Sequence, residues 1–299
     1  MSYFRMRGVV PPMITPFKEN EEVDYEVLEA LVSFLKDRVD GLFITGSYGC
    51  GPLMSLEERK KVTEAVVKIT QHKIPVVVMV GTTNNRDSAE LARHARDAEA
   101  DAVSAVCPFY YKHTPDSVCG FFSDLVKAVD NDLPVYLYDN PGFQGYPLTL
   151  DTVKRICCDI GVHGIKDATF DILTHATYQR LFGSLGKDIV SGTEAMWLPS
   201  TALGAKAFIP GLGNVFPEIC RQMFNETESG DYEKARATQF RINRIREIMY
   251  RAPSTQMAVY AMLKIRGVIS SYPRSPFISA SHKETEEMRD ELDQLGMLM

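Results

Sequence analysis

Between Gly8 and Gly211 the chain holds eight short apolar runs, rich in β-branched residues, with helix-like segments between them. The runs begin at Gly8, Gly41, Pro75, Ala102, Pro134, Gly161, Asp188 and Ala205. The gap after the first run carries Leu28, Leu31, Val32 and Leu35 on one helical stripe, and the gap after the second opens with Ser55 and Glu58 at capping-box spacing. Strand-like runs alternating with helices require parallel strands joined by crossovers. Eight such runs, with no G-x-G-x-x-G turn after the first, fit a closed α/β architecture, the (β/α)8 TIM barrel, better than a doubly wound open sheet. From about Phe216 the pattern is helical only. The expected organisation is a catalytic barrel over residues 1–225 and a C-terminal helical extension, 226–299, packed on it, with no Gly/Ser linker between them.

A formal net charge of -6, without a long Lys/Arg run, argues against nucleic-acid binding. No apolar span approaches membrane length and the N-terminus lacks a signal-peptide core, so a cytoplasmic location is expected. The six cysteines form no C-x-x-C pair and read as free thiols. The six histidines show no H-x-x-x-H or H-E-x-x-H spacing, so no catalytic metal is expected.

The sixth run, "GVHGIKDAT", ends in Lys166. An ammonium group is costly to bury unless it is paired or loses its proton. Either Lys166 reaches water where a strand ends, or its amine is held near-neutral in a pocket and attacks a carbonyl. The C-terminal end of a barrel strand is where such enzymes keep their chemistry. An inward Lys166 puts Gly164 inward too, leaving room beside it. On the preceding strand Tyr136, Tyr138 and Asn140 share a face, and adjacent strands lie about 4.8 Å apart. The Tyr138 hydroxyl is thereby expected at the amine, where a phenol can shuttle protons; the competing reading is an aromatic filling the core. Strand two ends in "TGSYGCGPL", whose glycines let backbone N–H groups curl into an anion nest beside the Ser47 hydroxyl. After strand four, Tyr110 and Tyr111 are of the type found at subunit contacts.

In order, "GVVPPMITPF", "GSYG", "PFYY", "YLYDNP", "GIKDAT", "SGTEA" and "GAKAFIPGLGNVFPE" resemble the motifs of the dihydrodipicolinate synthase/N-acetylneuraminate lyase family over nearly the whole chain. The resemblance implies a class I aldolase in which Lys166 forms a Schiff base with a 2-oxo acid, usually pyruvate, and no cofactor is expected beside that covalent imine. Tyr138 is then the proton-transfer residue, and the Gly46–Ser47–Tyr48 turn holds the carboxylate. Tyr110 matches an aromatic that in many members reaches a neighbouring subunit's site, within a homotetramer built as a dimer of dimers. Ile209 matches a rim position whose carbonyl lies near the lysine, while Thr193 and Glu194 match positions that sialic acid lyases use for sugar hydroxyls.

The departures bear on the aldehyde. Tyr48 and Cys50 stand where family synthases carry a second Thr and a Glu, and Phe143 where the lysine-pathway synthase has an arginine that grips a carboxylate. Asn140 and Phe143 suit an uncharged or aromatic aldehyde. The chain is thus closer to 2-keto-3-deoxy-acid aldolases or hydratase-aldolases than to the lysine-pathway synthase. The expected activity is a lyase that makes or breaks a C–C bond through a lysine imine. The alternatives are a dehydratase or deaminase using the same imine, dihydrodipicolinate synthase itself, and a non-catalytic 2-oxo-acid-binding barrel.

Overall fold

The computed structural model describes residues 4–298. Eight strands occur in chain order: β1 Gly8–Val9, β2 Leu42–Ile44, β3 Val76–Met79, β4 Ala102–Val106, β5 Val135–Asp139, β6 Gly164–Asp167, β7 Asp188–Ser191 and β8 Ala207–Phe208. The helices among and after them are α1 Tyr25–Leu35, α2 Leu56–Thr70, α3 Asn85–Asp97, α4 Pro115–Ala128, α5 Pro141–Gln144, α6 Leu150–Lys154, α7 Ile172–Leu181, α8 Trp197–Ala202, α9 Pro217–Glu228, α10 Tyr232–Met249, α11 Thr255–Ile265 and α12 His282–Gln294.

Neighbouring strands are parallel in the order β1–β8–β7–β6–β5–β4–β3–β2. The ring closes just past β1, where Pro12 and Phe43 bridge in parallel, Phe43 N–H donating to Pro11 O at 3.0 Å. Two prolines explain why the long first run yields so short a strand, since neither Pro11 nor Pro12 has an N–H for the ladder. The helices form for the reasons their sequences give. In α1 the stripe Leu28, Leu31, Val32 and Leu35 is buried and Asp24 caps the first turn; at α2, Ser55 and Glu58 form the capping box.

Strand parity sorts the core into two regions. Val135, Leu137 and Ile165 point outward under the helices, while Phe43, Met79, Tyr136, Tyr138 and Val190 fill the barrel. All six cysteines are free; Cys157 is buried and its neighbour Cys158 exposed, on a π-helical turn after α6. Residue 225 lies within α9, so the chain passes from barrel to extension without a break. Trp197 stacks on Phe208 with ring centroids 4.6 Å apart and lies against Phe224 of α9. Gln239 fastens α10 to the barrel, donating to the Glu194 carbonyl at 2.9 Å and accepting from Leu198 N–H at 3.1 Å. Tyr260 of α11 donates to the Thr15 carbonyl at 2.6 Å. Among the described residues, no helix is long and apolar enough to cross a membrane.

Candidate active site

At the C-terminal ends of the strands a cavity of about 450 Å³ opens, and Lys166 lies on its wall. Register places Lys166 directly beside Tyr138, one strand over. The lysine is 3% exposed. Its Nζ lies 3.7 Å from the Tyr138 ring centroid and 3.8 Å from that of Phe43, and among the described residues no carboxylate pairs with it. Contact with two aromatic faces favours the ammonium, whereas burial disfavours it more strongly. Burial therefore pulls the amine well below the ordinary lysine pKa.

Two details differ from the sequence expectations. The room beside Gly164 is filled: a Cβ there would come within 2.5 Å of the Tyr136 ring, whose hydroxyl donates to Asp188 at 2.8 Å. The Tyr138 hydroxyl also reaches past the amine rather than bonding to it. Side chains on one ladder row lie side by side, so Nζ meets the ring while the phenol oxygen extends toward the mouth. There it accepts from Asn140 Nδ2 at 3.0 Å and neighbours the Ser47 hydroxyl. Burial raises the Tyr138 pKa, opposed by the hydrogen bonds from Asn140 and Ser47. Asn140 is itself fixed as the cap of α5, accepting from Phe143 N–H at 3.1 Å.

Ser47 and Tyr48 line the cavity on the β2 side, in a turn closed by Gly51 N–H donating to Gly46 O at 3.0 Å. Gly46 shapes this turn against the Phe43 ring and is not on the cavity wall. Burial and then the Glu194 charge push the Tyr48 phenol above its usual pKa. The Tyr48 hydroxyl packs so closely on Gly211 that a Cβ there would approach it to 2.5 Å. Phe143, half exposed, forms the β5 rim, while Thr193, Glu194 and Ile209 line the cavity after β7 and β8. Tyr110 is not brought to this cavity: it is 85% exposed and meets Tyr111 edge-on at 4.9 Å.

The sequence reading missed the contribution of the extension. Arg246 of α10 and Thr255 and Gln256 of α11 complete the wall. Arg246 Nη1 donates to Glu194 Oε1 at 2.8 Å, and that charge foremost raises the guanidinium pKa. No local motif marks these residues, because only the folded extension carries them to the mouth. Also unforeseen is a buried polar cluster on the outer side of the wall. Asp139 and Asp167, the residues after Tyr138 and Lys166, face each other in register. Tyr178 of α7 donates to Asp139 at 2.7 Å, and His175 of α7 bonds Asp167 at 2.8 Å.

Comparison with known proteins adds a family. Residues 5–295 match the profile of the dihydrodipicolinate synthetase family. A 4-hydroxy-tetrahydrodipicolinate synthase of Agrobacterium fabrum is similar, 32% identical over 288 residues, which cover 95% of this chain and 96% of the relative. Another, of Bartonella bacilliformis, is 30% identical over 297 residues, covering 98% and 99%. The crystal structure of dihydrodipicolinate synthase from Aquifex aeolicus superposes with a TM-score of 0.91 at 26% identity, covering 98% of this chain and 99% of its own.

Proposed function

The chain belongs to the dihydrodipicolinate synthetase family, and from that premise we propose that it is a Schiff-base-forming aldolase that joins pyruvate to an uncharged aldehyde or cleaves the product. Membership makes it a lyase of the class I aldolase type, dependent on pyruvate. The observation that carries the reading is the Lys166 amine, buried without a carboxylate partner and held against Tyr138. Imine formation needs free amine, and an unperturbed lysine with a pKa of about 10.4 offers little at neutral pH. Burial supplies it.

In the reaction, Lys166 Nζ adds to C2 of pyruvate while the Ser47–Tyr48 turn takes the carboxylate. The carbinolamine loses water to give the iminium, with Tyr138 passing the protons. Tyr138, a phenolate once it has protonated the departing water, takes a proton from C3 to yield the enamine, whose C3 attacks the aldehyde carbon. The alkoxide formed takes a proton from Tyr138, and hydrolysis of the imine frees the product and restores the lysine. The iminium is the electron sink, so pyruvate itself serves where other enzymes use a cofactor. Ile209 contributes a rim carbonyl, and Asn140, Phe143, Thr193 and Glu194 face the aldehyde. Phe143 offers a carboxylate no charge-assisted hydrogen bond where an arginine would, which disfavours aspartate semialdehyde. We further propose a cytoplasmic homotetramer in which Tyr110 acts across a subunit contact, its exposure being the support.

A second reading, 4-hydroxy-tetrahydrodipicolinate synthase, is favoured by the names of the relatives. The test of the first is incubation with pyruvate and borohydride, followed by mapping of the adduct by mass spectrometry. An adduct on another lysine, with Lys166 unmodified, sinks the assignment. Turnover with pyruvate across an aldehyde panel separates the two: aspartate semialdehyde as the best substrate would establish the second reading.

A further inference from the structure

Neutral aldehydes fall into two kinds, hydroxylated and aryl, and the cavity wall contributed by the extension distinguishes them. We infer that Arg246 is a specificity-determining residue that binds hydroxyl oxygens of the aldehyde, so that the substrates are 2-keto-3-deoxy sugar acids rather than arylidene pyruvates. The inference rests on the imine reading proposed above.

A guanidinium carries five N–H donors and no acceptor. Arg246 commits one at short range, to Glu194, and its Nη2 reaches the Tyr250 hydroxyl only at 3.4 Å. The side chain is 12% exposed and lines the same cavity as Lys166, so its uncommitted donors are open to a ligand on that wall. Glu194, 1% exposed, already accepts from Gly211 N–H at 3.0 Å, Leu212 N–H at 3.4 Å and Arg246. The wall is therefore neutral overall and rich in donors. A second substrate carboxylate would meet the Glu194 charge as well as the Arg246 charge, which offsets its attraction. A hydroxyl oxygen accepts from the guanidinium without that penalty. An alkyl or phenyl group would strip the remaining water from the donors and return no hydrogen bond, the situation in which polar sites discriminate most sharply. Chain order puts this wall beside β7 and β8, on one flank of Lys166, with Asn140 and Phe143 on the other.

The experiment compares condensation of pyruvate with glyceraldehyde, propanal and benzaldehyde; the first two have equal carbon count and differ in hydroxyls. Wild-type kcat/KM should favour glyceraldehyde over each of the others by at least about tenfold. Arg246→Lys keeps the charge opposite Glu194 but loses the planar fork. The double variant Arg246→Met/Glu194→Gln removes both charges, so that no carboxylate is left buried alone. In both, the preference should shrink at least about tenfold, chiefly through a higher KM for glyceraldehyde. The borohydride adduct is measured in every variant, with thermal unfolding as the check on folding. If Lys166 forms the adduct but wild type shows no preference, or prefers benzaldehyde, the inference is overturned and the imine reading stands. An unchanged preference in the folded variants also overturns it. Absence of the wild-type adduct overturns both.

Discussion

Lys166 presents a free-energy cost that can be measured without any substrate. Burial lowers the pKa of its amine well below the ordinary value of 10.5, around which the unfolded chain loses the proton. Between those two pKa values the unfolded state binds more protons, so stability rises with pH. Lys166→Met should remove that slope: the variant unfolds at higher denaturant than wild type at pH 7, and the gap closes toward pH 10.5. Parallel curves over that range would mean that the lysine is charged in the fold. Tyr138→Phe deletes only the oxygen shared with Asn140 and Ser47, leaving the ring against Nζ. Turnover should fall about 10²- to 10⁴-fold while pyruvate binding changes little; a variant within about threefold of wild type would return Tyr138 to core filling. Both residues were legible because a strand end and a period of two are local properties. Arg246 was not: its helical pattern shows which face packs, not which cavity that face overlooks.

At the level of elements, α7 does more than pack against β7. Its His175 and Tyr178 hold Asp167 and Asp139, the carboxylates that follow Lys166 and Tyr138. Burial pushes the Asp139 pKa to about 6, against an ordinary 3.8, with the Asp167 charge adding to the rise. The fold keeps this proton where the unfolded chain has lost it, so the stability it contributes is full below 3.8 and gone above about 6. Asp139→Asn cannot ionise, and the Tyr178 hydroxyl can turn to accept from the new amide. Relative to wild type the variant should therefore gain stability as pH rises from about 4 to about 6, measured by urea unfolding. A constant difference would place the Asp139 pKa at its ordinary value. The alternation of strands and helices, and the apolar faces, were readable from spacing. Which buried polar groups pair was not, since periodicity reports that a position is inside and says nothing of its partner.

For the whole molecule, the exposed Tyr110–Tyr111 pair lies away from the cavity of its own chain. If Tyr110 acts across a contact, light scattering should give four times the 33.5 kDa chain mass. Tyr110→Ala should lower turnover without disturbing the isolated fold, and a fully active monomer would reject the arrangement. The barrel was legible because eight apolar runs admit few closed solutions, whereas an assembly depends on surfaces that sequence spacing does not pair. The extension has its own consequence. Lys166 and Tyr138 come from β6 and β5, while Arg246, Thr255 and Gln256 arrive on helices that follow the last strand. One cavity is thus walled by two stretches of chain, and the Arg246–Glu194 ion pair is the seam between them. Recombination after α9 between two such proteins would replace one side of that seam, so a new extension alters the cavity wall only as far as its residue at position 246 still suits Glu194.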